Sequence, residues 1–319
     1  MNILKNKKNL MLFILSMASF FLRASMAKAL IIDHNAVQEF DRIPDSYFTT
    51  IRDNYNTFYG HTSHGSQIIT GLKMLTSENS SLYDRPTFRE ESDDLGHNGD
   101  ISWVGITESF LDGHPLYNTV MWSWCGGVSD NTESGINTYL NAMNELESDY
   151  PNVTFIYMTG HLDGTGIDGN LRERNDQIRE YCENNNKVLF DFADIERHDL
   201  NGIDYPDEED DCNWCYIWCN NNPCPSCLDC SHSHCLNCYN KGKAFWTMMA
   251  RLAGWDNNGS TPPIIPGDLN SDGILDIEDL FLVARNYGKT IGFDERADAN
   301  NDGVIDISDL FLVARNYGT

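Results

Sequence analysis

Residues 152–192, NVTFIYMTGHLDGTGIDGNLRERNDQIREYCENNNKVLFDF, decide the fold class. NVTFIYM (152–158) and KVLFDF (187–192) are short apolar runs without the polar alternation of a half-exposed strand. The stretch between them, Gly169–Asn184, reads as a helix. Strand, helix, strand, with both strands apolar throughout, describes a parallel sheet covered on both faces. The same unit appears upstream. NTFYG (56–60) precedes a helix from Ser66 to Thr76, and NTVMWSW (118–124) precedes one from Glu133 to Glu147. KAFWTMMARLAG (243–254) reads as a closing helix that ends at Gly254. The order predicts a doubly wound α/β domain. In such sheets reactive side chains gather at the carboxyl ends of the strands.

The chain has 319 residues, 41% hydrophobic and 22% charged, which supports a packed core and argues against wholesale disorder. Its 48 acids against 22 bases leave a net charge of −26. That field repels phosphates, so nucleic acid and anionic membranes are poor partners, whereas divalent cations and neutral polymers are compatible with it. Residues 1–29 run against this trend, with lysines and arginine but no acid. Three lysines precede the apolar run Leu10–Leu22, and Ala27-Lys28-Ala29 supplies a small-x-small cleavage pattern. The run falls short of the ~20 residues a spanning helix needs. An export signal over 1–29 is expected, with a secreted mature chain starting near Leu30 and no membrane span in it.

Residues 30–255 then form the large domain, and DNNGSTPPIIP (256–266) is a proline-rich linker. Residues 267–319 hold an internal repeat: DIEDLFLVARNYG (276–288) recurs as DISDLFLVARNYG (306–318). Each copy follows a D-x-N-x-D-G loop. Asp268, Asn270, Asp272, Asp276 and Asp279 in the first, and Asp298, Asn300, Asp302, Asp306 and Asp309 in the second, stand at positions 1, 3, 5, 9 and 12 of an EF-hand-type calcium loop. The carbonyls of Ile274 and Val304 would fill position 7, and Gly273 and Gly303 the sharp turn. Two Ca²⁺ sites are expected. With Asp at position 12 and no helix before either loop, residues 267–319 resemble a dockerin domain. That resemblance implies a cohesin-type scaffold partner. Positions 10 and 11, Ile277/Glu278 and Ile307/Ser308, depart from the hydroxyl pair common in such domains.

Four turns of the large domain carry reactive residues. GHTSHGSQ (60–67) places Ser63 and Ser66 between a strand and a helix N-terminus, where a nucleophile would be exposed and developing negative charge favoured. WCGGVS (124–129) offers backbone N–H groups of Gly126 or Gly127 to a reacting oxygen. MTGHLDG (158–164) puts His161 at the end of the next strand, and DCSHSHCLNCYNKG (229–242) contains Asp229-x-x-His232, a carboxylate spaced to orient an imidazole base, with His234 as a competing base. In this order the blocks resemble those of the SGNH (GDSL-like) hydrolases. The resemblance implies a flavodoxin-like sheet and a serine esterase in which Ser63 attacks, His232 takes its proton, Asp229 orients the ring, and Ser63 N–H, Gly126 or Gly127, and His161 hold the oxyanion. It spans about 50–254, with GHTS in place of GDS and His161 where the family has Asn. With the dockerin-like tail, the implied substrate is an acetyl or similar ester on a polysaccharide. The alternative is a non-catalytic glycan-binding or scaffold protein with a degenerate site.

Eight of the ten cysteines lie within 212–238. In an exported chain an even number favours disulfides, and bridges between separate C-x-x-C pairs are expected over bridges within one. A structural zinc with His232 or His234 is the competing reading. The acidic run Asp207–Asp211 reads as a solvated loop, and the tryptophans as core.

Overall fold

The computed structural model describes residues 28–257 and, in the C-terminal repeats, 269, 275, 277–289, 292–300 and 302–316. The export signal (up to residue 27), most of the linker, and Asp268, Asn270, Asp272, Ile274 and Asp276 of the first calcium loop lie outside the described residues.

Six strands form one parallel sheet: β1 (Leu30–Ile32), β2 (Asn56–Gly60), β3 (Thr87–Glu91), β4 (Thr119–Trp122), β5 (Thr154–Met158) and β6 (Val188–Phe190). Their spatial order is β1-β6-β5-β4-β2-β3. Counted from β2, this is the flavodoxin-like order 2-1-3-4-5, with β1 added at the far edge. The order in which strands are added reverses beside β2, so the topological switch point lies between the carboxyl ends of β2 and β4. The central strands are buried almost without interruption, which is why their sequences show no alternation. β3, TFREE, is an edge strand, and its charges suit an exposed edge.

The helices are α1 (Asn35–Glu39), α2 (Asp45–Asn54), α3 (Ser66–Glu78), α4 (Ser80–Tyr83), α5 (Ser102–Gly113), α6 (Glu133–Asp149), α7 (Asn170–Asn184), α8 (Phe192–Arg197), α9 (Asn213–Cys219) and α10 (Cys235–Leu252). α10 packs on α1, α2 and α3, while α6 contacts α5 and α7, giving two helical layers. α3 and α10 cross backbone to backbone at a glycine pair: a Cβ on Gly71 would lie 2.0 Å from Cys238 O. Trp122, Trp124, Trp214 and Trp246 are buried, so these four belong to the core rather than to a sugar cleft. The closing helix starts at Cys235, eight residues before the expected start at Lys243.

The cysteine segment is closed by four disulfides: Cys212–Cys215, Cys219–Cys224, Cys227–Cys235 and Cys230–Cys238. The last two link separate C-x-x-C pairs, as expected. Cys212–Cys215 does not; it bridges within one motif. Cys212 takes a left-handed conformation (φ 59°) just before α9, and the two Cα atoms come within 5.3 Å, a span a disulfide closes. With every sulfur of 212–238 paired, the cluster offers zinc no thiolate. Cys125 and Cys182 remain free thiols. Disulfides at this density belong to oxidising compartments. Among the described residues no helix is long and apolar enough to cross a membrane.

In the repeats, α11 (Ile277–Asn286) and α12 (Ile307–Asn316) pack on each other. Val283, Ala297, Ile305 and Val313 form a small separate core. The shared LFLV stripe therefore splits: its valines are buried and Phe281 and Phe311 are exposed.

Candidate active site

β2 ends at Gly60, and the chain enters a turn that is held rigidly. Thr62 Oγ1 donates to Asp94 Oδ2 at 2.8 Å, Tyr59 Oη to Gly65 O at 3.0 Å, and Ser66 Oγ to Ser63 O at 2.6 Å. Ser66 Oγ also lies 3.2 Å from Ser231 Oγ, whose hydroxyl it can accept, so it ties the turn to the 231 loop. Ser63 and His64 sit at the top of this turn, at the switch point. β4 ends alongside, and Cys125 and Gly126 (φ 78°) follow it. Trp124 Nε1 donates to Met158 O at 2.9 Å and thereby fixes the end of β4 to the end of β5, from which His161 emerges. Asn175 of α7 clamps the same turn through Gly160 N at 2.8 Å.

Three imidazoles stack here. His64 lies between His161, with centroids 3.6 Å apart, and His232, at 4.4 Å. His64 Nε2 meets Asp210 Oδ2 at 2.9 Å, and its Nδ1 meets Cys125 Sγ at 3.3 Å. Ser63 Oγ is 3.5 Å from the same sulfur. A carboxylate only accepts, so the His64 proton resides on Nε2 and the lone pair on Nδ1 faces the thiol. Burial, aided by the neighbouring imidazoles, drives His64 down to about 4, so the ring is neutral at neutral pH. His161 Nδ1 donates to Leu162 O at 2.7 Å, which leaves Nε2 of the neutral ring as an acceptor. As an oxyanion donor His161 would have to be protonated. Among the described residues, the N–H groups of Ser63 and Gly126 donate to no protein acceptor, so both are available to a developing oxyanion.

The structure brings Ser63, His161, His232 and the Gly126-Gly127 turn to one corner. It does not bring Asp229 there. Asp229 is exposed, and no described hydrogen bond joins it to His232, whose positive φ of 61° turns the chain between them. The D-x-x-H spacing therefore does not make a triad in this structure. His234 caps α10 by accepting from Leu236 N at 3.1 Å. His64, Cys125 and Asp210 were not foreseen. The signal for Asp210 was the acidic run 207–211, which the disulfide-closed segment and an antiparallel bridge from Asp163 to Glu209 carry over the site.

Ligand atoms of His64, Asp210 and His232 all lie within 4.8 Å of one another, a candidate metal triad by distance. The rings of His64 and His232 are only 13° from parallel. Stacked rings point their lone pairs side by side, and a metal ion must lie near both ring planes, so this arrangement does not converge on an ion.

Of the second expected calcium loop, all residues but 301 are described. Asp309 is buried and accepts from Asn300 N at 3.2 Å and Asp306 N at 2.8 Å. Asp298 accepts from Gly303 N at 2.7 Å, and Gly303 (φ 84°) makes the turn. Asp302 and Asn300 stand between them. These are hard oxygens at the spacing a Ca²⁺ loop uses, a donor set whose chemistry suits that ion.

No protein-family model matches the chain, and no curated protein matches it either. Among solved structures, one titled a "putative acylhydrolase" from Bacteroides fragilis aligns at 12% identity and a TM-score of 0.32, over 58% of this chain and 90% of its own.

Proposed function

We propose that the chain is an exported hydrolase of acyl esters, acting by covalent acyl transfer at the β2–β4 switch point. The observation that carries this reading is the Cys125–His64–Asp210 line with Ser63 beside it: nucleophilic atoms, a neutral imidazole base and an orienting carboxylate in mutual contact. The N–H groups of Ser63 and Gly126 serve the oxyanion, and His232 and His161 flank the base. The orienting role expected of Asp229 passes to Asp210. The acidic surface and the calcium-loop tail favour a neutral, ester-decorated polysaccharide as substrate, with acetyl as the simplest acyl group. In the tail, Asp298, Asn300, Asp302, the Val304 carbonyl, Asp306 and Asp309 would hold Ca²⁺, which neutralises the loop carboxylates when bound. The matching residues of the first loop would hold a second ion. A cohesin-type scaffold is the proposed partner of that tail.

The test is hydrolysis of p-nitrophenyl acetate and of acetylated polysaccharides by the mature 30–319 chain, beside Ser63→Ala and His64→Gln. Loss of at least about a hundredfold in His64→Gln is expected, the low end of general-base catalysis. Equal turnover in parent and His64→Gln refutes the assignment. The exposed position of Asp229, away from His232, favours a second reading: a glycan-binding module on the same fold. A chain that retains acetylated glycan but cleaves no ester would support it.

A further inference from the structure

The reactive corner holds two nucleophilic atoms but only one of them touches a base. Cys125 is a half-buried free thiol at the carboxyl end of β4, with His64 Nδ1 at 3.3 Å. The tautomer argument makes that nitrogen the acceptor, because the proton sits on Nε2 and donates to Asp210 at 2.9 Å. His64 is buried between two other imidazoles, so its ring is held and water is kept from it. Ser63 Oγ, by contrast, has Cys125 Sγ as its one side-chain partner among the described residues, at 3.5 Å, and so reaches a base only through the sulfur. The other free cysteine, Cys182, lies in the core of α7 and is driven well up by burial, so it stays a thiol.

We infer that Cys125 Sγ is the atom that attacks the ester, with His64 as its base and Asp210 as the residue that positions the ring. This rests on the acyl-hydrolase reading above. His64 Nδ1 takes the thiol proton as sulfur bonds to the carbonyl carbon and the π pair moves to oxygen. Collapse breaks the bond to the sugar oxygen, which leaves with the proton from His64 as a free hydroxyl. The product on the enzyme is a thioester at Cys125. His64 then takes a proton from water, the hydroxide adds to the thioester, the carbon–sulfur bond breaks, and sulfur recovers the proton as the carboxylic acid departs. The Ser63 hydroxyl donates to the sulfur when it carries negative charge.

Two measurements on the mature chain test this. The first is rapid quench after p-nitrophenyl acetate, followed by peptide mass analysis. An acetyl group on Cys125, labile to neutral hydroxylamine, is expected. Acetyl on Ser63 overturns the inference, as does parental turnover in Cys125→Ala or in the better-folding Cys125→Ser. The second measurement needs no substrate: the rate of iodoacetamide alkylation of Cys125 at pH 7, with Cys182 as the internal reference. His64→Gln is expected to slow it about tenfold, since the imidazole no longer takes the thiol proton as sulfur attacks; an unchanged rate overturns the inference. If the parent cleaves no ester, the hydrolase reading falls, and the alkylation comparison still decides whether His64 activates Cys125.

Discussion

Lys241 of α10 has no exposed surface, and its removal should loosen the whole reactive corner. Its ammonium donates to Glu196 Oε1 at 2.6 Å and to Gln67 Oε1, and lies 3.7 Å from the centre of the Phe192 ring. Glu196 is buried too, and its other oxygen accepts from Leu162 N at 2.8 Å, the residue after His161. Gln67, one turn beyond His64, donates to Ser231 O at 2.6 Å, the residue before His232. One buried cation therefore ties together the three segments that carry the stacked imidazoles. Burial lowers Lys241 to about 8 with Glu196 opposing, so it is still charged at neutral pH. Lys241→Met leaves the Glu196 carboxylate buried without its cation, which costs about 3–5 kcal/mol. At about 2–4 °C per kcal/mol for a domain of this size, Tm should fall by roughly 6–20 °C. The double variant Lys241→Met/Glu196→Gln removes the charge as well as its partner and should recover most of the loss. The assay is thermal and urea unfolding of the parent and both variants by circular dichroism, with amide exchange read at 160–163 and 230–233. A single variant within about 1 kcal/mol of the parent would refute the hub, since that is the range of an exposed ion pair. So would a double variant no better than the single.

Three further outcomes are expected. Because His64 is held at about 4 and acts as a neutral base, the acid limb of kcat/KM should fall near pH 4. The depressed value also means that the stability this ring contributes is present above its unfolded value near 6.5 and is lost as pH falls toward 4, so acid unfolding should show a component in that window; a limb at 6.5 contradicts both. Gly71→Ala places a methyl against the Cys238 carbonyl and should cost about 1–3 kcal/mol by overpacking, measured by urea unfolding; a neutral effect would mean the α3–α10 crossing is looser than described. Chelation and Ca²⁺ readdition, followed by titration calorimetry, should show two sites in the parent and one in Asp309→Ala, with stabilisation of about 2.7 kcal/mol at a hundredfold excess over Kd; two sites in the variant would remove Asp309 from the ligand set.

What could be read from the residues follows from how each signal is generated. β2, β4, β5 and β6 are covered on both faces, so burial alone writes them as apolar runs. β3 has an open edge, and its Arg89, Glu90 and Glu91 look like loop residues to any test of hydrophobicity. The first turns of α10 were missed for another reason: Cys235 and Cys238 anchor them by disulfides, so they need no continuous apolar stripe. At the site, Ser63 and His161 could be singled out because the strand-end rule states where to look, and His232 because of its spacing from Asp229. The partners were not, because each contact is long-range. Asp210 stands 146 positions from His64, and Glu196 stands 45 from Lys241. Spacing rules work where both residues share one turn of backbone. At Asp229-x-x-His232 the spacing was present, but His232 is left-handed and no described hydrogen bond joins the pair.

This last failure bears on how the site is built. The loop with His232 and the segment with Asp210 have little apolar core of their own, and disulfides and the Gln67–Ser231 bond set their course instead. Between α9 and α10 the insert is closed by disulfides rather than by helix or strand pairing, so His232 is placed by connectivity. The Cys227–Cys235 and Cys230–Cys238 bridges hold the His232 loop against the first turn of α10, the helix that also carries Lys241. Asp210 enters from just ahead of the Cys212–Cys215 bridge and replaces the local carboxylate that a D-x-x-H loop would otherwise supply. The segment that would orient the proposed base is thus held by the Asp163–Glu209 bridge and closed by the disulfide that follows it. Reduction should therefore lower any ester hydrolysis while circular dichroism still reports the sheet; unchanged turnover in the reduced chain would show that the covalent closure is not needed for the proposed site.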